Sequence, residues 1–181
     1  MKRPVRKALS RRRSHSKVTD EAPDHAELTE IVSVLSSVAD HSGLRPWRLL
    51  ELRGERRDLL GDALAEASGE DPERLRKKAR RAPLVLAVVV SPKESRKVPQ
   101  WEQEAVASGV AHLLGLLLHE AGWGSFWRTG LHTRSEAVHR AHGLEEHEYL
   151  LGWLYIGGVP AKDRKDRPRK PLDAKRHLRT L

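Results

Sequence analysis

Hydrophobic and polar positions change period several times along the chain, and each change marks an element. Asp24 with Glu27 three residues later forms a capping-box pattern, and Leu28, Ile31, Val32, Leu35 and Val38 then recur at helical spacing. A helix is predicted from there through about Ala39. Gly43 and Pro46 punctuate the loop 40–46, after which residues 47–52 read as a strand and 55–67 as a helix. Pro72 occupies the favoured first-turn position of a further helix that runs to about Arg81, before Pro83. Residues 84–90 (LVLAVVV) are apolar without a break and largely β-branched, the pattern of a strand buried on both faces. The longest predicted helix covers 101–121. Its second half, LLGLLL (113–118), is apolar almost all round and must be covered by its own domain or by a partner chain. Gly122 stands in the usual C′ position of that helix. A short strand over 123–127, a helix over 135–142 and a second buried strand over 149–156 complete the core pattern. Residues 1–11 show no hydrophobic period and read as a flexible basic arm, and the segment 161–181 is polar, interrupted by Pro168 and Pro171, and tail-like.

Strands alternating with helices suit a doubly wound α/β fold. No GxGxxG or P-loop turn follows any strand, however, so the usual nucleotide-phosphate cradles are missing. Periodicity by itself therefore gives an α/β or α+β domain and no function.

Composition narrows the possibilities. A chain of 181 residues is about one domain and can bury roughly 70% of its unfolded surface. It has no charge-free apolar run of about 20 residues, and no apolar stretch follows its basic start, so neither a membrane span nor a secretory signal is expected. With no cysteine, disulfides, thiolate nucleophiles, Fe–S clusters and Cys-type zinc sites are excluded. Any redox chemistry must then come from a cofactor, and a cytoplasmic setting fits. The net charge of +9 looks like a nucleic-acid signal until it is divided along the chain. Residues 1–17 carry +8 and residues 161–181 carry +6, whereas the body between them carries −5. Basic ends on an acidic body describe solvated tails rather than a basic groove.

Four segments are less easily explained by packing. RRRSHSK (11–17) places Arg, Ser and Lys where they can grip a phosphate or set positive charge beside a group that becomes anionic; a solvated basic arm is the plainer account. ADHSGLRPW (39–47) carries His41 at a helix–loop–strand junction, which alone can be just a capped turn. KVPQWEQE (97–104) opens the long helix, where Glu102 and Glu104 suit the helix dipole and Trp101 can pack or cover a flat ligand. GWGSFWRTG (122–130) combines three glycines, two tryptophans and an Arg, which lets the backbone approach something closely under aromatic cover.

In order and with compatible spacing, these segments, together with LGWLYIG (151–157), resemble the nitroreductase family, specifically its small, single-domain, FMN-dependent branch. The corresponding family patterns are Arg-Arg-Ser followed by a basic residue, an Asp-His loop ending in Pro-Trp, a Lys-Val-Pro-x-Trp-Glu-Gln-Glu helix start, a Gly-x-Gly-x-x-Trp-Arg-Ser turn and a Gly-x-Leu-Tyr-x-Gly strand. The resemblance implies an α+β, nitroreductase-like three-layer fold with a central mixed sheet flanked by helices, in an intertwined homodimer with FMN at the interface. It divides the chain into the arm 1–11, an FMN-binding domain 12–160 and a basic C-terminal extension 161–181. Arg12, Arg13 and Ser14 would hold the FMN by its phosphate or pyrimidine edge, with Lys17 near N1 and O2. Ser37 and His41 would approach the FMN of the other subunit. Trp127, Arg128 and Thr129 would line the flavin on the opposite side, and the helix end before Gly122 would meet the nicotinamide nucleotide. Thr129 stands for the family's Ser and keeps the hydroxyl, Ser37 stands where close relatives carry Arg, and Ala39 replaces a Pro. The activity implied is passage of a hydride from NAD(P)H, as co-substrate, through flavin N5 to a small electron-poor acceptor such as a nitroaromatic or quinone, with no side chain acting as a catalytic acid.

Three rival readings remain at this level. The same flavin fold can serve a dehydrogenase, a dehalogenase or a flavin-modifying enzyme. The basic ends could bind nucleic acid, although the charge distribution argues against such a partner. His139, His142 and His147 could form a metal site, but nothing around them in the sequence supports it, and surface histidines are the simpler expectation.

Overall fold

The computed structural model describes residues 3–163 and 172–180. Its centre is the strand β2 (Leu84–Val90), in which every residue is buried. Val85, Ala87 and Val89 face one core and Leu84, Leu86 and Val88 face another, so one strand feeds two hydrophobic layers. Each large apolar side chain so buried contributes roughly 1.5–3 kcal/mol. β2 is flanked by β1 (Trp47–Arg53) and β4 (Tyr149–Gly158), and β3 (Trp123–Arg128) pairs with the far side of β4, giving the order β1-β2-β4-β3.

The helices close the two faces. On one side α3 (Arg56–Ser68), α4 (Pro72–Ala79) and α6 (Glu136–Ala141) cover Leu52, Val85, Val138, Trp153 and Tyr155. On the other, α2 (His25–Ser33) and the 21-residue α5 (Gln100–Glu120) cover Leu86, Val110, Leu114, Leu118 and Ile156. The result is the expected three-layer α+β architecture. The sheet is not mixed, however: its ladders β1–β2, β2–β4 and β3–β4 are all antiparallel. The reason lies in the connections. Between β1 and β2 the chain makes a helical hairpin, α3 against α4, packed so closely that a Cβ at Gly61 would stand 2.6 Å from the Arg76 main chain. Two helices return the chain to the end it left, so β2 runs back beside β1. A single crossover helix would have made the pair parallel. Parallel pairing survives, among the described residues, as the bridge between Ser14 and Ser125.

Two departures concern the chain ends of elements. Pro4–Arg11, read as an irregular arm, forms the helix α1, with Pro4 in its first turn and its main chain capped at Arg12. α1 rests on α5, and its own side chains are not buried, which is why no apolar period marks it. The predicted helix through Ala39 ends earlier and tightens into a 3₁₀ turn, Val34–Ser37. Beyond β4 the chain makes a turn at Ala161–Asp163 and another at Ala174–Arg176, and residues 164–171 and 181 of the predicted C-terminal extension lie outside the described residues. Among the described residues no helix is long and apolar enough to cross a membrane.

The buried Glu148 at the start of β4 accepts two hydrogen bonds from Arg48 of β1, from Nε at 2.7 Å and Nη2 at 2.5 Å, and a third from the Glu145 N–H at 3.0 Å. The Arg48 bonds hold its carboxyl down to about 2, against the opposing effect of burial. A carboxyl whose folded pKa lies below its unfolded value adds stability above the unfolded value and loses it as the pH falls toward the folded one. Glu148→Gln is expected to cost about 2 kcal/mol at pH 7 by urea unfolding. The gap to the unaltered protein should narrow as the pH is lowered from 4.5 towards 2. A gap that stays constant with pH would assign the loss to shape rather than charge.

Candidate functional site

The basic segment that follows α1 lies along the open edge of the sheet. The His15 N–H donates to the Ser125 carbonyl at 2.9 Å, and the Thr19 N–H to that of Gly158 at 2.8 Å; Gly158 N–H in turn donates to the Glu21 carbonyl at 2.8 Å. Glycines make this docking possible. A Cβ at Gly124 would stand 3.2 Å from that of His15, one at Gly157 2.7 Å from Val18, and one at Gly158 2.2 Å from the Thr19 hydroxyl. Gly124 was expected to admit something close to the backbone, and what it admits is the protein's own N-terminal segment. Gly122 serves the turn after α5, with φ +90.

Held there, the segment lines two contiguous cavities. One, of about 350 Å³, is bounded by Arg13, Ser14, His15, Ser16 and Lys17 and by Lys162 and Asp163 from beyond β4. The other, of about 460 Å³, is bounded by Ser16, Lys17, Val18, Arg81 and Arg128. Both volumes fall in the range of ligand clefts. Arg13 Nη1 donates to the carbonyls of Ser10, Arg11 and Arg12, tying it to the end of α1, and Arg12 Nη1 reaches the Ser14 hydroxyl at 3.4 Å. His15 is held below its ordinary range, first by burial and further by Arg12 and Arg13, with Asp163 pulling the other way. His119, at the C-terminal end of α5, is lowered by burial and then by His15 and Arg11–Arg13. Arg11–Arg13 therefore stand beside the negative end of the α5 dipole.

Trp127 and Arg128 are neighbours on β3 and so point to opposite faces of the sheet. The Trp127 ring meets the edge of His112 on α5 at 5.0 Å. The Arg128 guanidinium lies 4.8 Å from the Phe126 ring centre and 5.3 Å from that of Tyr155. Thr129 leaves the strand and, with Arg128, borders a third cavity of about 200 Å³ over Leu64, Leu75, Trp153 and Tyr155. Gly152 links this turn to the LGWLYIG strand. Its φ is +138, and a Cβ there would stand 2.3 Å from the Arg128 carbonyl and 2.9 Å from Trp127 Nε1, a buried N–H with no hydrogen-bond partner among the described residues. The pairing skips a residue here, from Val88–Gly152 to Val89–Leu150. That bulge is why Leu150 and Trp153 share a core despite their odd spacing.

Ser37 and His41 stand elsewhere. Both are exposed, and His41 Nδ1 is paired with Glu102 Oε2 at 2.8 Å, at the N-terminal end of α5. A helix of 21 residues is about 30 Å long, and Arg11–Arg13 sit by its other end. One chain thus brings Arg12, Arg13, Ser14, Lys17 and Arg128 into one region and leaves Ser37 and His41 apart. The loop that carries His41 is unusual in itself: Ser42 and Arg45 both adopt positive φ, at 63 and 48, and Asp40 Oδ2 accepts the Arg45 N–H. Trp101 does not pack, being 70% exposed, whereas Glu104 is spent on Arg134 and on the Tyr149 hydroxyl.

The histidine reading needs correction at His142, which is not on the surface. It is buried in the α6 core, where Nδ1 meets the Val138 carbonyl at 2.8 Å and Nε2 accepts the Trp153 indole N–H at 3.0 Å. Sequence reasoning missed Arg81, and it reached Lys162 only as one of several basic residues of the C-terminal extension, either solvated or near a phosphate. Neither sits in a recognisable motif, and only the docking of three separate segments places them beside Lys17.

The geometry defines an α+β protein whose N-terminal basic segment is pinned to a sheet edge to form a cationic cleft. The nitroreductase family model matches residues 9–158, and the chain belongs to that family. A relative from Escherichia coli (strain K12), "Putative NAD(P)H nitroreductase YdjA", is 33% identical over 155 residues, covering 82% of this chain and 85% of its own length. Among solved structures, a nitroreductase-like family protein from Bacillus cereus superposes with a TM-score of 0.85 at 19% identity, over 100% of this chain and 97% of that one. The FMN and NADPH-dependent nitroreductase NfnB from Sphigopyxis sp. strain HMH gives 0.70 at 21% identity, over 99% and 100%. The chain is thus an oxidoreductase by family.

Gly152→Ala is expected to lower the thermal midpoint by about 4–8 °C, as a cost of roughly 2 kcal/mol implies for a domain of this size. Gly130→Ala, at an extended position with nothing within 4 Å, should leave it within about 1 °C. Equal effects in the two variants would remove the packing role given to Gly152.

Proposed function

We propose that this protein is an FMN-dependent oxidoreductase that takes a hydride from NAD(P)H and delivers it to a small electron-poor acceptor of nitroaromatic or quinone type. The observation that carries this reading is the cationic cleft. Arg13, Ser14, Ser16, Lys17 and Lys162 surround one cavity against a single acid, Asp163, and the adjoining cavity carries Lys17, Arg81 and Arg128 with none. This donor set fits a ligand with a phosphate at one end and a flat ring that gains negative charge at the other. When bound, FMN supplies hydride acceptance and release at N5. The chain's residues supply position and field. Arg12, Arg13 and Ser14 hold the phosphate end or the pyrimidine edge, and Lys17 stabilises negative charge at N1 and O2. Arg128 and Thr129 line the ring, Trp127 contributes by its main chain because its side chain faces α5, and the end of α5 before Gly122 receives the nicotinamide nucleotide. Residues 12–160 are the domain that does this work.

The same reading requires a homodimer. Ser37 and His41 contribute by reaching the cleft of the other subunit, which accounts for their distance from the cleft of their own. Trp101, Leu113 and Val34 remain 70%, 42% and 53% exposed, and a second subunit gives them cover. The LLGLLL segment, only partly covered by its own chain, belongs to that contact.

The purified protein is expected to show the two visible flavin bands, with about one FMN per chain after reconstitution and desalting. Arg12→Ala should retain less FMN than Arg6→Ala, and equal retention would overturn the role given to Arg12. Arg12→Ala and His41→Ala should each lose NAD(P)H oxidation, and subunits mixed by unfolding and refolding together should regain about a quarter of the sites, because each mixed dimer then holds one intact site. No recovery on mixing would place His41 outside the partner's site.

A further inference from the structure

Arg81 is the residue of the cleft that neither the motifs nor the resemblance assign. It stands in the turn between α4 and β2, after two arginines that are paired: Arg80 binds Asp58 and Arg76 binds Asp62. Among the described residues Arg81 has no such carboxylate. It faces a cavity of about 460 Å³ with Lys17 from the N-terminal segment and Arg128 from the end of β3, and no acid lines that cavity. Arg81 and Arg128 also act on the same buried phenol. Burial raises the Tyr155 hydroxyl above its ordinary range, and the charges of these two arginines pull it back. Three cations from three elements repel one another, and they do so on a chain body that carries net negative charge. An anionic ligand edge is what this arrangement accommodates.

Resting on the FMN reading above, we propose that Arg81 is a third cation, with Lys17 and Arg128, at the pyrimidine edge of the flavin ring, and that it sets the cofactor's potential rather than anchoring its phosphate. The phosphate has its own candidate partners in the neighbouring cavity, where Arg13, Ser14 and Lys162 lie, and the two cavities meet at Ser16 and Lys17. The Arg128 guanidinium lies over the Phe126 and Tyr155 rings, which fixes its charge beside the cavity. Positive charge at N1 and C2=O favours the reduced ring over the oxidised one, so removing it lowers the potential.

The test uses the full-length protein with Arg81→Gln, Arg81→Lys and a control, Arg56→Gln, on the exposed start of α3. FMN and riboflavin, which lacks the phosphate, are titrated by fluorescence quenching, and the midpoint potential of bound FMN is measured. Arg81→Gln should weaken FMN and riboflavin by the same factor, about tenfold. It should also shift the reduced-to-oxidised preference by about tenfold, or some 30 mV more negative for two electrons. Arg81→Lys should keep the potential near that of the unaltered protein, and Arg56→Gln should change nothing. Weakened FMN with unchanged riboflavin would move Arg81 to the phosphate and overturn the proposal, as would an unchanged potential in Arg81→Gln. If the unaltered protein takes up neither flavin, the FMN reading itself fails and this proposal with it.

Discussion

The structure depends on one strand that has no solvent side. β2 buries all its residues, between 0% and 1% exposed, and a strand of that kind can exist only with a partner strand on each edge and a helical layer on each face. The helical hairpin and β1 come before it in the chain, and α5 and β4 come after. Every later feature inherits its place from this arrangement. α5 must lie across the sheet to cover Leu86 and Val88, and its length carries the chain from the His41 loop at one end to the basic segment at the other.

The second constraint is the edge that remains. β3 ends the sheet, and an open edge invites pairing with other chains. Here it is met by the N-terminal segment, through the His15 amide on Ser125 and Gly124 that lets it approach, and the Thr19 amide then ties the segment to the end of β4. Covering the edge and building the cleft are therefore one act. The bridge at Ser14 and the amide bond of His15 to Ser125 also fix where Arg13 and Lys17 stand. A cationic side chain so positioned loses less entropy on binding an anion than one on a free arm.

What could be read in the sequence follows from this. The pattern that marks β2 is unmistakable because burial on both faces leaves no polar position, and 84–90 is its observed extent. Helices with one covered face were also legible, α3 and α5 to within a residue or so. α1 was not, because it buries no side chain and so writes no period. Antiparallel pairing of β1 with β2 was within reach, because both helices of the hairpin were read between the two strands; the mixed sheet was expected from the resemblance, not from this pattern. At the site, RRRSHSK and GWGSFWRTG were visible as local anomalies, and the structure places them against each other through Ser14, His15, Gly124 and Ser125. Arg81 left no trace in the sequence, since proximity across three elements is a property of the fold and not of any window along the chain.

The glycines show why motif and mechanism should be kept apart. Gly124 belonged to the segment expected to admit something close to the backbone, yet it is filled by the chain itself, by His15, just as Gly152 is filled by the Arg128 carbonyl and the Trp127 ring. Their effect on the cleft is indirect. Gly152 lets the turn after β3 settle against β4, which holds Thr129 and Gly130 beside the cavity over Trp153 and Tyr155, while Gly124 lets the basic segment close onto the sheet. The residues with the strongest motif signature thus serve as the seat. The charges seated on it, Lys17, Arg81 and Arg128, face the cavity from three parts of the chain. A change in any one of those parts would alter the field in that cavity without disturbing the core that β2 organises.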